Sequence, residues 1–331
     1  MKKILFAVMA IALLAGVSSC KKEMEGKYAP KEKIQSVYQE YAMYYDGEIE
    51  NQEAKFKSEE WTWVKDRLDR IVYFDQTTYE VGEDEEPESE YVQLYVQLFS
   101  YDSDGRLTKS EIIGMANMEA TCEYDGKELS KMTIKEDGEM VATYQFNHDG
   151  KRITSFDMTL GGDYWEMDEK VAKQFERVNP LRFVLSAEPA AQVMSATKSY
   201  AKSAAKAGSK ANTTIRFNLE WNGDNVSRIA ASYMGETMQY NFNYDTKNNP
   251  FYNLFEVVHT VDNNFMPFMP LSKNNVTAIA ILLSEDGDTE AETETMQYSY
   301  TYNDKDYPTS RKEEETFGDS RFERTYYYEY K

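Results

Sequence analysis

A β-hairpin is encoded in the stretch Tyr101-Asp102-Ser103-Asp104-Gly105-Arg106-Leu107, which indicates the fold of this 331-residue chain. An aromatic residue ends one strand, Asp and Gly form the turn, and Leu begins the next strand. Aspartate bonds to its own backbone in such turns, and glycine supplies the positive φ that a tight reversal requires. The arginine stays in water, while the leucine returns to the core.

This turn pattern occurs seven times along the chain. The six further copies are Tyr124 to Leu129, Phe146 to Ile153, Trp63 to Ile71, Trp221 to Ile229, Tyr244 to Asn249 and Tyr302 to Ser310. A repeated unit indicates architecture before any single residue indicates chemistry. Three of the turns are about 22 residues apart, which fits two strands and two reversals. We therefore predict an all-β fold, an antiparallel up-and-down meander curled into a closed or open barrel.

The runs between the turns have the two-residue period of strands. The segment from Ile34 fits a helix or a strand, and we favour a strand because its neighbours are strands. Residues 91–99 are apolar on both faces, which predicts a strand covered on both sides. Later strands are one-sided: Tyr240, Phe242 and Tyr244 alternate with asparagines. Aromatic residues favour such half-buried surfaces.

The repeat is interrupted by an insertion at 163–214. Residues 165–178 have helical spacing, and Asn179-Pro180 would end that helix. Residues 190–211 are rich in Ala, Ser and Lys, and four lysines recur at every fourth position: Lys198, Lys202, Lys206 and Lys210. If helical, this stripe would suit an anionic partner. We favour the alternative, a solvated low-complexity insertion.

Residues 1–19 have the character of a lipoprotein signal peptide. Two lysines precede an apolar run, Ile4 to Gly16, that is shorter than the ~20 residues a spanning helix needs. Val17-Ser18-Ser19-Cys20 resembles the bacterial lipobox, in which the cysteine receives a diacylglycerol and then a palmitate-type acyl chain. We therefore predict an exported protein, lipid-anchored at Cys20 to the outer membrane, on either its periplasmic or its surface face.

The predicted mature chain consists of a flexible lipidated tether at 20–32 and a single β-domain at 33–331. Loss of the two signal lysines takes the formal charge from −21 to about −23. Such acidity disfavours nucleic acid as a partner. It also disfavours the protein body lying on an anionic membrane, so the predicted membrane contact is the lipid on Cys20. Only Cys122 then remains, so no internal disulfide is expected.

Few residues suggest chemistry. His148 and His259 lack partners at metal-ligand spacing, and Cys122 lacks a neighbouring base. Asp102 and Asp104 faintly resemble a calcium loop, but the glycine comes too early, so we interpret them as turn residues. We therefore predict no catalytic, cofactor-binding or metal-binding residue. Paired carboxylates remain the alternative, because a glycan hydrolase needs just two of them.

Four segments carry a family resemblance. They are Trp61-Thr62-Trp63 with Leu68 and Ile71, Tyr244-Asp245 to Asn249-Pro250-Phe251, Leu271-Ser272-Lys273-Asn274-Asn275, and Tyr302-Asn303 to Tyr307-Pro308. The chain resembles, over about 30–331, the Bacteroidota lipoprotein family called domain of unknown function 4595. The resemblance implies a porin-like curled or closed antiparallel sheet, a lipid-anchored exported protein and no known activity.

The function that we predict from the sequence is a non-enzymatic, lipid-anchored binding or scaffold protein of the cell envelope. Its ligand would be a small molecule, a glycan or a protein, since exposed tyrosines can form a binding platform. One alternative is a hydrolase of glycans or lipids with two carboxylates inside the barrel. The other is a membrane-inserted barrel. That would need an outward apolar band on every strand, and strands such as 131–136 offer one modest apolar face, so we favour a soluble barrel.

Overall fold

The computed structural model of the chain describes ten ranges of residues. These are 25–45, 47–79, 88–114, 117–150, 152–160, 213–233, 236–254, 269–285, 292–317 and 320–331. The predicted signal peptide, Cys20, His259 and the predicted insertion up to residue 212 lie outside these ranges. Thr213 and Thr214, which we assigned to the insertion, begin a strand instead, because the alternation of the following strand starts with them.

The chain forms sixteen strands. They are β1 Ile34–Tyr45, β2 Glu48–Val64, β3 Arg67–Tyr79, β4 Glu88–Tyr101, β5 Leu107–Ile113, β6 Met118–Asp125, β7 Glu128–Glu136, β8 Glu139–Asp149, β9 Arg152–Leu160, β10 Thr213–Asn222, β11 Asn225–Tyr233, β12 Glu236–Tyr244, β13 Val276–Glu285, β14 Glu292–Tyr302, β15 Pro308–Phe317 and β16 Ser320–Tyr330. The described residues add one 3₁₀ turn, Met269–Leu271. Within the described ranges, no helix is long and apolar enough to cross a membrane.

Each strand pairs antiparallel with its neighbours in the sequence, and β1 pairs with β16 to close the barrel. The closing register runs from Ile34 opposite Tyr330 to Tyr45 opposite Ser320. The all-β meander is therefore confirmed, and of the two predicted forms the barrel is the closed one. The strand assignment at Ile34 is also confirmed.

The seven turn patterns all lie at one end of the barrel. Six of them join consecutive strands directly, from β2–β3 to β14–β15. The pattern at Tyr244 to Asn249, which we predicted as a short turn, instead begins the longer connection 245–275 between β12 and β13. The N–H of Lys331, after β16, donates to the carbonyl oxygen of Lys33, before β1, at 2.8 Å. Gly105 has the φ of +82° that its turn requires. We call this the capped end, formed by residues 25–33, 64–68, 101–107, 124–129, 148–150, 152–153, 222–226, 244–254, 269–276, 302–308 and 331. The opposite end is called the far end.

Inward side chains of the strands form a buried core inside the barrel. Leu68, Ile134, Met158 and Ile229 are completely buried, and Tyr240 is 1% exposed. Together with the other inward residues they form one continuous core. This buried apolar core supplies hydrophobic stabilisation to the described barrel.

The strand at 91–99 differs from the prediction. Tyr95, Gln97 and Phe99 are buried inside the barrel, Leu94 is half-buried and packs against the core, and Val92 is exposed. The expected cover on both faces was therefore wrong. The described strands form a single closed sheet, so its outer face lies at the surface.

Candidate functional site

Residues 25–33 cross the capped end as an irregular segment, which we call the strap. Gly26 lies against the ring of Tyr124, and its carbonyl oxygen accepts the N–H of Leu107 at 2.9 Å. A Cβ atom at Gly26 would lie 1.8 Å from the Tyr124 hydroxyl oxygen, and Gly26 has a φ of +72°. Glycine is therefore required at this position for two independent reasons.

The strap continues to the other side of the barrel opening. The buried Tyr28 donates its hydroxyl to the carbonyl oxygen of Pro250 at 2.8 Å and packs on Trp63, with 5.7 Å between the ring centroids. The N–H of Lys31 donates to the Tyr307 hydroxyl at 3.2 Å. The strap from Glu25 onward, which we placed in a flexible tether, is thus held by contacts that no local sequence pattern encodes.

A second part of the cap is organised by Asp245. Its carboxylate accepts the N–H of Lys247 at 2.9 Å and the N–H and side-chain amide of Asn275, each at 3.1 Å. It also accepts the hydroxyl of Tyr302. Burial, and then the hydrogen bond to Asp245, raises the pKa of Tyr302. Three of the segments that carry the family resemblance therefore meet at this carboxylate.

At the capped end, eight pairs of consecutive strands are not joined by a turn or a longer connection. In seven of these pairs an aromatic side chain links the two strands. Each ring donates a hydrogen bond of 2.6 or 2.7 Å to the carbonyl oxygen of a residue near the start of the adjacent strand. The pairs are Trp63 to Ile34, Tyr101 to Leu68, Tyr124 to Leu107, Trp221 to Ile153, Tyr244 to Val226, Tyr300 to Val276 and Tyr330 to Pro308. We call these bonds clasps. They provide hydrogen-bond donors to backbone carbonyl groups that the turns leave unpaired.

The eighth such junction, between β7 and β8, has His148 at the clasp position. Its Nε2 lies 3.0 Å from the Oε2 of Glu25, and the same oxygen accepts the N–H of Leu129 at 2.7 Å. A strap carboxylate thus bridges β8 to β7 where the other junctions have a direct bond. The strap thereby completes the ring of clasps.

A buried group of charged residues lies inside the barrel near the cap. Arg311 and Glu313 point inward from β15, with 2.7 Å between Nη2 and Oε1, and both side chains are almost completely buried. Glu59 on β2 is also buried, and its Oε2 accepts the Trp61 indole N–H at 2.6 Å. We call Glu59, Arg311 and Glu313 the interior charges.

These interior charges surround Tyr328. Burial raises the pKa of Tyr328 to about 12, Arg311 opposes that rise, and Glu313 and Glu59 add to it. A narrow cleft lined by Phe251, Tyr328 and Arg311 has room for about one water molecule. Charge neutralisation between fixed partners is a structural arrangement. It does not separate a proton donor from an acceptor, as a pair of catalytic carboxylates must.

Asp102 and Cys122, which we assessed for chemistry, lie in a turn and in the core. Asp102 accepts the N–H groups of Asp104 and Arg106, each at 2.9 Å, and these bonds confirm the turn interpretation. Cys122 is buried, and burial raises the pKa of its thiol to about 12. Among the described residues, no three His, Cys, Asp or Glu side chains are grouped as a metal site requires.

The sequence did not identify Glu25, Asp245 or the interior charges. For Arg311 and Glu313 the sequence does contain one relevant pattern. Arg311 and Glu313 occupy alternate positions and so share a face, but polar residues on both faces of that strand concealed which face points inward.

The comparisons with known proteins concern structure alone. No model of a known protein family matches this chain, and no curated protein does. A porin-like protein from Bacteroides uniformis ATCC 8492 is similar over 90% of this chain and 98% of its own, with 10% identity and a TM-score of 0.47. One from Bacteroides vulgatus ATCC 8482 is similar over 91% and 99%, with 10% identity and a TM-score of 0.26. The resemblance to domain of unknown function 4595 stays a prediction.

Proposed function

We propose that this chain is a lipid-anchored protein of the outer membrane whose barrel acts as a non-enzymatic scaffold or binding module. The observation that carries the proposal is the filled interior. Inward side chains from fifteen of the sixteen strands belong to one buried core, and the cleft beside Arg311 and Tyr328 has room for about one water molecule. Recognition would then use the rim or the outer surface, with a glycan, small-molecule or protein ligand.

The anchor is supported by two features that are independent of each other. The leader sequence ends in Val17-Ser18-Ser19-Cys20, with the cysteine where a lipobox requires it. The strap then fixes the chain to the barrel from Glu25 onward, close behind that cysteine. A short link between lipid and folded domain suits an anchored protein better than a secreted one.

The outer surface supports a barrel outside the bilayer. Ion pairs join neighbouring strands on the outward face: Lys109 with Glu119, Lys131 with Glu123, Arg216 with Asp157, Arg228 with Glu220 and Lys312 with Glu323. A membrane-inserted barrel would place such charges in hydrocarbon, where they cost several kcal/mol each.

The interior charges favour the scaffold over the hydrolase. Glu313 is paired with Arg311, and Glu59 accepts the Trp61 indole, so each carboxylate has a fixed structural partner. A hydrolase needs one carboxyl group that releases its proton to the substrate and a second with different proton affinity.

The test is metabolic labelling of cells that make the protein with a fatty-acid analogue. The native chain should take up the label, and Cys20→Ala should abolish it. Cys122→Ala is the matched control, because it removes the other cysteine and should leave labelling unchanged. Labelling that survives in Cys20→Ala would contradict the anchor.

A further inference from the structure

We propose that the capped end of the barrel is the surface that this protein holds against a lipid bilayer, with the far end directed away. This inference rests on the proposed anchor at Cys20 and adds an orientation to it. Two sets of observations carry it: where the folded chain begins, and how charge is divided between the two ends.

The first observation is the length of chain between the anchor and the first fixed residue. Glu25 is held by the N–H of Leu129, by His148 and by its own N–H to the carbonyl oxygen of Lys127. A fully extended chain spans at most about 3.5 Å per residue, so Cys20 can lie no more than about 17 Å from Glu25. The capped end must then lie close to any bilayer that holds the lipid.

The strap makes this restraint tight. If the strap were not docked, the free chain would run to Ile34 and reach about 49 Å. That length exceeds the height of the barrel, since strands of about ten residues, tilted as barrel strands are, rise about 25 Å along its axis. A released strap would therefore let the domain turn either end to the bilayer.

The second observation is the charge of the two ends. The described residues of the capped end include twelve basic and twelve acidic side chains, although the chain as a whole carries −21. At the far end, seven of the sixteen strand termini are glutamate, and none is lysine or arginine: Glu48, Glu88, Glu136, Glu139, Glu236, Glu285 and Glu292. Anionic lipid headgroups would repel the acidic far end, whereas the capped end has equal numbers of basic and acidic side chains and would not be repelled.

The orientation can be measured on the full lipidated protein in phosphatidylcholine vesicles with a nitroxide on part of the headgroups. Asp104→Cys at the capped end and Glu139→Cys at the far end each replace one acidic residue by a thiol for a fluorophore. Cys122 is buried, and Cys20 carries the lipid, so neither competes. The fluorophore at position 104 should be quenched several-fold more strongly than the one at 139.

A second arm tests the role of the strap. Gly26→Ala places a methyl group on the Tyr124 hydroxyl, so the strap should undock while the barrel and its lipid stay intact. The protein should still float with the vesicles, and the fluorophores at positions 104 and 139 should be quenched equally. Equal quenching in the native background, or a difference that persists in Gly26→Ala, would overturn the proposal.

Flotation separates this proposal from the one on which it rests. Protein that fails to float with the vesicles contradicts the anchor and with it the orientation. Protein that floats with equal quenching at both positions contradicts the orientation alone.

Discussion

Nε2 of His148 lies 3.0 Å from Oε2 of Glu25, 123 positions earlier in the chain. At every other junction of this kind, an aromatic ring reaches the neighbouring strand directly. Between β7 and β8 the Glu25 carboxylate takes the place of that direct bond. It contacts His148 on β8 and accepts the N–H of Leu129 on β7. The pair joins the start of the folded chain to the wall of the barrel, so strap and barrel are expected to behave as one unit.

We therefore expect the strap and the barrel to be energetically coupled. Glu25→Ala and His148→Ala should each destabilise the protein, and the double variant should cost less than the sum of the two. For residues in direct contact the interaction energy is about 0.5–3 kcal/mol. Urea unfolding of the four proteins measures it. Strict additivity would mean that the contact contributes nothing.

The clasps should each contribute a modest amount. Tyr101→Phe keeps the ring and removes the hydroxyl that bonds to the carbonyl oxygen of Leu68 at 2.7 Å. Loss of one such bond should lower the free energy of unfolding by about 0.5–1.5 kcal/mol. Tyr45→Phe is the control, because Tyr45 is 56% exposed and should show no measurable change. Equal effects of the two changes would argue against the clasp.

The interior charges should matter far more than those on the surface. Arg311→Met leaves Glu313 buried without its ion-pair partner, which should cost about 3–5 kcal/mol. Arg216→Met breaks the outward pair with Asp157, whose two bonds are both 2.7 Å long. Arg216 is exposed and Asp157 is half-buried at the surface, so the control should cost less than about 1 kcal/mol. Thermal unfolding of the two variants gives the comparison, and similar losses would contradict it.

The turn at 101–107 should be sensitive to acid. Burial acts to raise the pKa of Asp102, but hydrogen bonds from the N–H and side chain of Arg106 outweigh it, and the net pKa is lowered. A lowered folded-state pKa stabilises the protein above the ordinary value of 3.8, and the gain is lost as the pH falls through the lowered value.

The variant that isolates this effect is Asp102→Asn, which keeps the oxygen acceptor and loses the charge. At pH 6 the native protein should be more stable by about 1 kcal/mol. The difference between the two proteins should shrink as the pH falls below 3.8, as unfolding curves at several pH values would show. A difference that does not depend on pH would contradict the assignment.

The wall of the barrel could be predicted from the sequence because its signals are local. Six of the seven turns are contained in a few residues, and the aromatic residue before each turn was visible; the seventh, after Tyr244, belongs to the long connection 245–275. Its hydrogen bond was not, because Tyr101 and Leu68 are 33 positions apart and meet only through the pairing of β3 with β4. The alternation also predicted one-sided strands such as β12, where Tyr240 and Phe242 are buried.

The cap and the interior charges depend on contacts that no pattern contains. Tyr28 meets Pro250 across 222 positions, so its burial follows from closure of the whole barrel. Arg311 and Glu313 occupy a strand that is polar on both faces, and hydropathy cannot say which face is inward. Their burial is decided by the register with β14 and β16.

The central claim is that Cys20 carries the lipid that holds this barrel at a membrane. The most direct test is mass spectrometry of the detergent-extracted mature protein and of its N-terminal peptide. We predict an N-terminus at Cys20 that carries a diacylglycerol and an acyl chain. An unmodified Cys20, or cleavage at another position, would contradict the account.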